Sequence, residues 1–336
     1  MNKRIEYIDV AKGILILCLL YGHMWVYASI LGYKDNVIQN GFKSVVFYNS
    51  FFMQTFFLIT GFCSSFNIKY YTFVWKNLKT LIIPSLVLCT ISYLFNGFIS
   101  GFNKNLFEFI YSFYNWLTDG GPWFIISLFW AKIIYWGLNR TNIKIQLFVV
   151  LLLYVLGLFL NKHGVRNIQW HQHTFMMLPY LMMGHFVRMK FHIIQPYLKY
   201  IGICGVICIS IQTLLNYLYN SFVPTHDLYI NVTYKTIPLH CINVMLGTSF
   251  VIWASSSIKY KGILQNFGRG TLICYLLNGM VQIPVLHLFN KIYDSNNYFN
   301  CILFYSLSYF STVIIFYFLI KIIYDNSYLK WIVGKY

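Results

Sequence analysis

The sequence has very few carboxylates and little charge of any kind. Of its 336 residues only eight are aspartate or glutamate, and charged residues make up 10% of the chain, whereas a soluble domain has about 25%. Because 58% of the residues are hydrophobic, the composition indicates an integral membrane protein. No long stretch is polar enough to form a separate soluble domain, so residues 1–336 are interpreted as a single integral-membrane domain.

The positions of the acids exclude some chemistry. All eight lie at or beyond the ends of the apolar runs: Glu6, Asp9, Asp35, Glu108, Asp119, Asp227, Asp294 and Asp325. A mechanism with two carboxylates inside the bilayer is therefore excluded. Ion-coupled transport, which relies on buried carboxylates, is disfavoured for the same reason.

Patterns for metal, disulfide and nucleic-acid binding are also missing. The eight cysteines lie in or beside apolar segments, and Cys204 and Cys208, one helical turn apart, have no histidine beside them. The net charge of +17 arises from basic residues at the ends of apolar runs, which is the pattern of membrane topology. We therefore expect no metal site and no nucleic-acid partner.

Apolar runs long enough to cross a bilayer predict an all-α polytopic protein with about ten transmembrane helices. They lie at about 13–31, 44–66, 80–99, 122–138, 145–161, 174–190, 200–219, 237–256, 270–290 and 301–323. Basic residues concentrate in the connections on the N-terminal side, so both termini are predicted to be cytoplasmic. Lys3 and Arg4 precede the first run without a small-residue cleavage site, which favours an uncleaved signal anchor.

The first apolar run carries Lys12 and His23, two residues that are costly in a membrane span. Eleven helical steps rotate the chain by about 1100°, so both side chains lie on one face, and they rise by about 16 Å. A cation at the cytoplasmic rim below an imidazole near mid-bilayer suits a substrate that approaches from the cytoplasm. A neutral imidazole near pH 7 can remove a proton from a hydroxyl group.

Structural alternatives exist for both residues. His23 could form a hydrogen bond between helices, and Lys12 could extend to the membrane interface. Asp9, one turn earlier, could pair with and orient Lys12. A second inner basic cluster contains Lys76 and Lys79, which indicate either plain topology or contact with a phosphate of an acyl donor as point charges.

The remaining polar residues in the spans are interpreted as structural. Lys132 is expected to extend toward the inner face, and His185, His240 and His287 each occur singly. The outer connections are short and include Trp170–His173 and Pro224–Asp227. His171 and His173 are expected in an outward-facing strand or loop, where such residues can line the entrance for an acceptor.

Several segments resemble the acyltransferase-3 family of integral-membrane acyltransferases, whose first span carries a basic residue, ten intervening residues and a histidine. Lys12 and His23 occupy those positions, although arginine is commoner at the first. Further similar segments occur in order along the chain: FFMQTFFLITGF (51–62), KNLKTLIIP (76–84), GPWFIISLFWAK (121–132), MMLPYLMMGHFVR (176–188) and FGRGTLICYLLN (267–278). Asn278 stands where many members have a histidine.

The resemblance implies an O-acetyltransferase of the bacterial inner (plasma) membrane. Such enzymes move an acyl group, usually acetyl, from acetyl-coenzyme A to a hydroxyl of a surface polysaccharide or its lipid-linked saccharide precursor. No cofactor is expected to be permanently bound, since acetyl-coenzyme A acts as co-substrate. His23 is then the catalytic residue, as general base or as acyl carrier. Lys12, Lys76 and Lys79 are the donor-binding residues.

Two other functions fit some of the same features. A transporter or flippase for a glycan or lipid-linked sugar would also have many aromatic-rich spans and polar outer loops. A glycan polymerase would need a longer outer loop than the connections of this chain. Binding of acetyl-coenzyme A, competed by coenzyme A, separates the acyltransferase from the transporter or flippase.

Overall fold

The computed structural model describes residues 6–100, 122–162, 169–219 and 237–334. Lys3, Arg4 and the outer connection at Pro224–Asp227 lie outside these residues. Within the described ranges the chain is helical, with no strands. Because a bilayer offers no hydrogen-bond partner to the backbone, helices satisfy each peptide group within one segment.

The helices are numbered here in chain order. They are α1 (Glu6–Ile30), α2 (Asn36–Asn49), α3 (Phe52–Cys63), α4 (Tyr70–Asn77), α5 (Ile83–Ser100), α6 (Trp123–Leu138), α7 (Ile143–Lys162), α8 (Gln169–Met189), α9 (Phe191–Ile194), α10 (Leu198–Tyr219), α11 (Ile237–Ser257), α12 (Gly262–Arg269), α13 (Thr271–Leu276), α14 (Asn278–Phe289) and α15 (Tyr298–Asp325). A π-helical turn, Leu78–Ile82, joins α4 to α5, and 3-10 turns cover Gln195–Tyr197, Asn290–Ile292 and Lys330–Val333.

Six described helical segments are long and apolar enough to cross a membrane. They are Glu6–Ile30, Asn36–Cys63, Tyr70–Phe95, Ile143–Asn161, Phe191–Ile211 and Tyr298–Asp325, and the shorter α6 is also apolar. The multi-pass, all-helical character predicted from composition is thus confirmed. The count of ten and the cytoplasmic position of the termini stay predictions.

Two predicted spans differ from the observed helices. The second begins at Asn36 and is interrupted between α2 and α3, so the connection after α1 is much shorter than expected. The predicted span at 270–290 is likewise two helices, α13 and α14, separated at Leu277. Hydropathy reports how apolar a segment is but not whether its helix is continuous, which explains both differences.

Asp35 fixes the turn between α1 and α2. It caps α2 by accepting a hydrogen bond from the Ile38 N–H at 2.7 Å, and its other oxygen accepts from the hydroxyls of Tyr293 and Tyr305 at 3.0 and 2.9 Å. Burial and this carboxylate raise the pKa of Tyr293 to about 12, so the phenol remains a donor at neutral pH. The acid thus joins the α1–α2 turn to α15.

Helices α3 and α8 pack at close range through a reciprocal pair of glycines. A Cβ at Gly61 would collide with the Leu181 carbonyl, and one at Gly184 would collide with the Leu58 carbonyl. Small residues let helix backbones approach in membranes, where dispersion contacts drive association. The pair therefore sets the spacing of the two helices.

Gly184→Ala should destabilise the fold although alanine favours helix by about 1 kcal/mol. The added methyl meets the Leu58 carbonyl, and overpacking typically costs about 1–3 kcal/mol. Thermal unfolding of the purified protein in detergent checks this. The matched control is Gly137→Ala, where a Cβ meets nothing within 4 Å. Equal melting temperatures for both variants would contradict the assigned contact.

Candidate functional site

Helix α1 lies at the centre of the described bundle. It contacts α2, α3 and every helix from α11 to α15. A Cβ at Gly13 would collide with the Leu264 carbonyl, and one at Gly268 with the Asp9 carbonyl, so α12 crosses the first half of α1 at backbone distance. The polar residues of α1 therefore face protein on several sides.

Lys12 lies in the first half of α1 and is half-buried. Together with Lys76 of α4, it interacts electrostatically with Lys132 of α6. Three cations from three helices thus share one region of the bundle. Sequence reasoning paired Lys12 with Lys76 but treated Lys132 as structural.

Lys79 has different surroundings from Lys76. It lies on the π-helical turn, with its Nζ 5.2 Å from the centroid of the Trp75 ring. Pro84 follows this turn and lacks the N–H that would bond one turn back, which favours the wider π geometry. Gly334 packs against the Lys79 backbone, so the C-terminal 3-10 turn lies at the same end of the bundle as this segment.

Asp9 belongs to the first turn of α1 and is 6% exposed. Its charge acts on the Cys63 thiol, as do those of Lys12 and Arg188. A carboxylate in the first turn is also favoured by the helix dipole. The predicted orienting role toward Lys12 stays a prediction.

His23 lies farther along α1 than a mid-helix position. In the described part of α1, Glu6–Ile30, the imidazole is about 8 Å past the midpoint, toward Ile30. The side chain is half-buried, and its ring centroid lies 5.8 Å from that of Tyr27, one turn on. Within the described part of the chain, its nitrogens have no hydrogen-bond partner.

The break between α13 and α14 lies opposite this part of α1. The Tyr27 hydroxyl rests against Gly279, where a Cβ would be 3.1 Å away. Gln282 donates a hydrogen bond from Nε2 to the Leu20 carbonyl at 2.7 Å. The side-chain oxygens of Asn278 and Gln282 are buried and have no partner among the described residues. Two unused acceptors thus lie on the helix that packs beside His23.

Asn278, where a histidine is common in the family, is 3% exposed. An amide cannot exchange protons near neutral pH as an imidazole can. The amide at this position can therefore hold and orient a hydroxyl group but cannot transfer its proton.

The expectation for His171 and His173 was wrong. Both lie in α8 rather than in a strand or loop, and His173 is 7% exposed, with its ring centroid 4.6 Å from that of Trp123. The polar run before α8 resembled a loop, but the bundle provides an aromatic partner that makes a buried helix favourable. Tyr27 was also missed, although its i+4 spacing from His23 was a readable signal.

A cavity of about 270 Å³ lies near the start of α1, between α3, α8, α10 and α11. Its walls are apolar, with hydroxyl groups supplied by Tyr7, Thr248 and Ser249. Such a lining suits a hydrocarbon group but offers no charge for an anion and no group for proton transfer. The polar face of α1 is therefore the stronger candidate site.

Comparison with known families agrees with an integral membrane protein built around this helix. The family model of acyltransferase-3, described as an acyltransferase domain, matches residues 5–321. The chain belongs to the acyltransferase-3 family. Neither the curated proteins nor the solved structures that were compared give a significant match.

Replacing Gln282 with leucine should destabilise the contact between α14 and α1. The variant loses the bond to the Leu20 carbonyl, whose net value is about 1 kcal/mol. Thermal unfolding measures the loss, with Gln39→Leu on the exposed side of α2 as control. A melting temperature of Gln282→Leu at or above that of Gln39→Leu would show that the bond contributes nothing.

Proposed function

We propose that this protein is an O-acetyltransferase of the inner (plasma) membrane, with about ten spans and both termini in the cytoplasm. It transfers an acetyl group from cytoplasmic acetyl-coenzyme A to a hydroxyl of a surface polysaccharide or its lipid-linked precursor. One observation carries the proposal: the family's basic residue and histidine, Lys12 and His23, both lie on the central helix of the bundle.

The donor is held at the Lys12 end of α1. Coenzyme A carries several phosphate charges, and Lys12, Lys76 and Lys79 attract them as point charges. The electrostatic interaction of Lys12 and Lys76 with the same third lysine supports this assignment for those two residues. Asp9 orients Lys12 from one turn earlier.

The separation of Lys12 and His23 suits the shape of the donor. The pantetheine arm of coenzyme A carries its thiol far from its phosphates, and the two residues are separated by about 16 Å along the helix. Phosphates bound beside Lys12 therefore leave the thioester free to reach toward His23. The membrane provides no water to compete for the acyl group there.

In the transfer step, the acceptor oxygen bonds to the thioester carbonyl carbon and the carbon–sulfur bond breaks. As general base, His23 takes the hydroxyl proton and passes it to the departing thiolate. As acyl carrier, its unprotonated nitrogen first displaces the thiolate, which takes the N–H proton of the resulting acetyl-imidazolium; the acceptor oxygen then displaces the imidazole, which takes the hydroxyl proton. Both routes yield the acetyl ester and free coenzyme A.

A transporter or flippase makes a different prediction. It has no need of an acyl thioester, so purified protein would not bind acetyl-coenzyme A in competition with coenzyme A. Saturable binding of acetyl-coenzyme A favours the acyltransferase.

His23→Ala should abolish glycan acetylation, because both chemical routes need the imidazole. Mass spectrometry of the host's surface glycan measures the acetyl content, and membrane abundance is measured in parallel. His287→Ala, at an exposed position, is the matched control and should retain acetylation. Normal acetylation by a normally inserted His23→Ala protein would remove His23 from the mechanism.

Lys76→Gln should weaken coenzyme A binding more than Lys79→Gln does. Lys76 interacts with the other cations of the cluster, whereas Lys79 lies over the Trp75 ring. Loss of one charge contact with a phosphate corresponds to about tenfold in Kd. Calorimetric titration of both variants makes the comparison, and a larger loss for Lys79→Gln would reverse the assignment.

A further inference from the structure

We propose that Lys132 completes an anion site with Lys12 and Lys76, and that this site binds a phosphate group of the acyl donor. The inference rests on the proposed function for the identity of the ligand. The juxtaposition of Lys132 and Lys76 rests on the packing of α4 against α6, and Lys12 joins them through its electrostatic interaction with Lys132.

Packing places Lys132 beside Lys76. Trp136 of α6 contacts Tyr70 and Phe73 of α4, with ring centroids 4.9 and 6.3 Å apart. One turn before Trp136, the Nζ of Lys132 lies 5.8 Å from the centroid of the same Phe73 ring. The later residue of α6, Trp136, contacts both Tyr70 and Phe73, whereas the earlier residue, Lys132, contacts Phe73. The two helices are therefore antiparallel. The turn of α4 after Phe73, which carries Lys76, therefore comes alongside Lys132.

The contact between α4 and α6 is firmly held. The indole N–H of Trp136 donates to the Ile68 carbonyl at 2.9 Å, and Arg140 Nη2 donates to the same carbonyl at 3.1 Å. Phe73 is 2% exposed. Because these contacts fix the backbone on both sides, the position of Lys132 relative to α4 is determined by packing.

Lys132 itself has no compensating carboxylate among the described residues, although Asp9 lies one turn before Lys12. The titratable groups that act on Lys132 within the described residues are Lys76, Lys12 and the Cys63 thiol, and no described carboxylate is among them. Its Nζ also donates no hydrogen bond to a described residue. A half-buried ammonium beside two like charges is costly, and a bound anion removes that cost.

The chemistry of the site selects its ligand class. Three ammonium groups on separate helices offer up to nine N–H donors and three positive charges. This arrangement fits a phosphate or diphosphate group better than a carboxylate with a single charge. A phosphate could come from the acyl donor or from a lipid headgroup, and these two sources are separated below.

The test uses the full-length protein in nanodiscs of phosphatidylcholine, which carries no net charge. Titration with coenzyme A and with inorganic pyrophosphate should give weaker binding for Lys132→Met than for wild type, by about tenfold. The dependence of Kd on salt should also be smaller, because one charge has been removed. Lys132→Arg should restore most of the affinity.

Stability distinguishes a binding role from a structural one. Without ligand, Lys132→Met should melt at or above the wild-type temperature, because it removes an uncompensated cation. The rise in melting temperature on adding coenzyme A should be smaller than for wild type. Lys199→Met is the control, since Lys199 is exposed and does not act on Lys132. It should bind coenzyme A as wild type does.

Several results would overturn the proposal. Unchanged affinity in Lys132→Met, or a loss of stability without ligand that Lys132→Arg does not rescue, contradicts it. If nanodiscs with phosphatidylglycerol abolish coenzyme A binding to wild type but not to Lys132→Met, a lipid headgroup is the ligand and the donor assignment is wrong.

Failure of the proposed function gives a separate pattern. If wild type binds pyrophosphate through Lys132 but transfers no acetyl group, the anion site is supported and the proposed acyltransferase function is wrong. If wild type transfers acetyl and Lys132→Met binds coenzyme A normally, the acyltransferase function is supported and the anion site at Lys132 is wrong.

Discussion

The close contact between α1 and α12 is the interaction on which the arrangement of the site depends. Gly13 and Gly268 each face a carbonyl of the opposite helix. A side chain at either position would prevent so close an approach of the two backbones. With α12 held against its first half, α1 also contacts α2, α3, α11, α13, α14 and α15. A lysine and a histidine on a span are tolerated only in such a position, because lipid offers them no partner.

Charge is distributed unevenly along this central helix. Near its start, Lys12 shares a region with Lys76 and Lys132, and Asp9 lies one turn before it. Farther along, His23 has neutral surroundings, with Tyr27 beside it and the amides of Asn278 and Gln282 on the neighbouring helix. One end is suited to an anion and the other to a hydroxyl group.

The sequence predicted the features that depend on local periodicity. The all-helical, multi-pass character and the family were readable, because helical repeat and hydropathy are properties of consecutive residues; the common face of Lys12 and His23 stays a prediction. Features that depend on contacts between residues distant in sequence could not be predicted. The position of Lys132 beside α4 depends on how α6 packs against Phe73, and the burial of His173 depends on Trp123.

The breaks in the helices could not be predicted from the sequence either. The interruption at Leu277 separates α13 from α14 within an apolar run that reads as continuous, and α14 then contacts α1 through Gly279 and Gln282. A polar residue inside an apolar run signals a buried contact, but it does not reveal the partner.

The central claim is that an acyl donor bound at the Lys12 end of α1 reacts at His23. The most direct measurement uses proteoliposomes in which the sidedness of the chain has been determined by labelling an added terminal tag. Acetyl-coenzyme A with a labelled acetyl group is supplied on one face only, with an extract of the host's lipid-linked saccharides incorporated in the membrane. Labelled saccharide should form only when the donor is on the face that bears Lys12 and Lys76. Equal labelling from the opposite face, or none from either, would contradict the account.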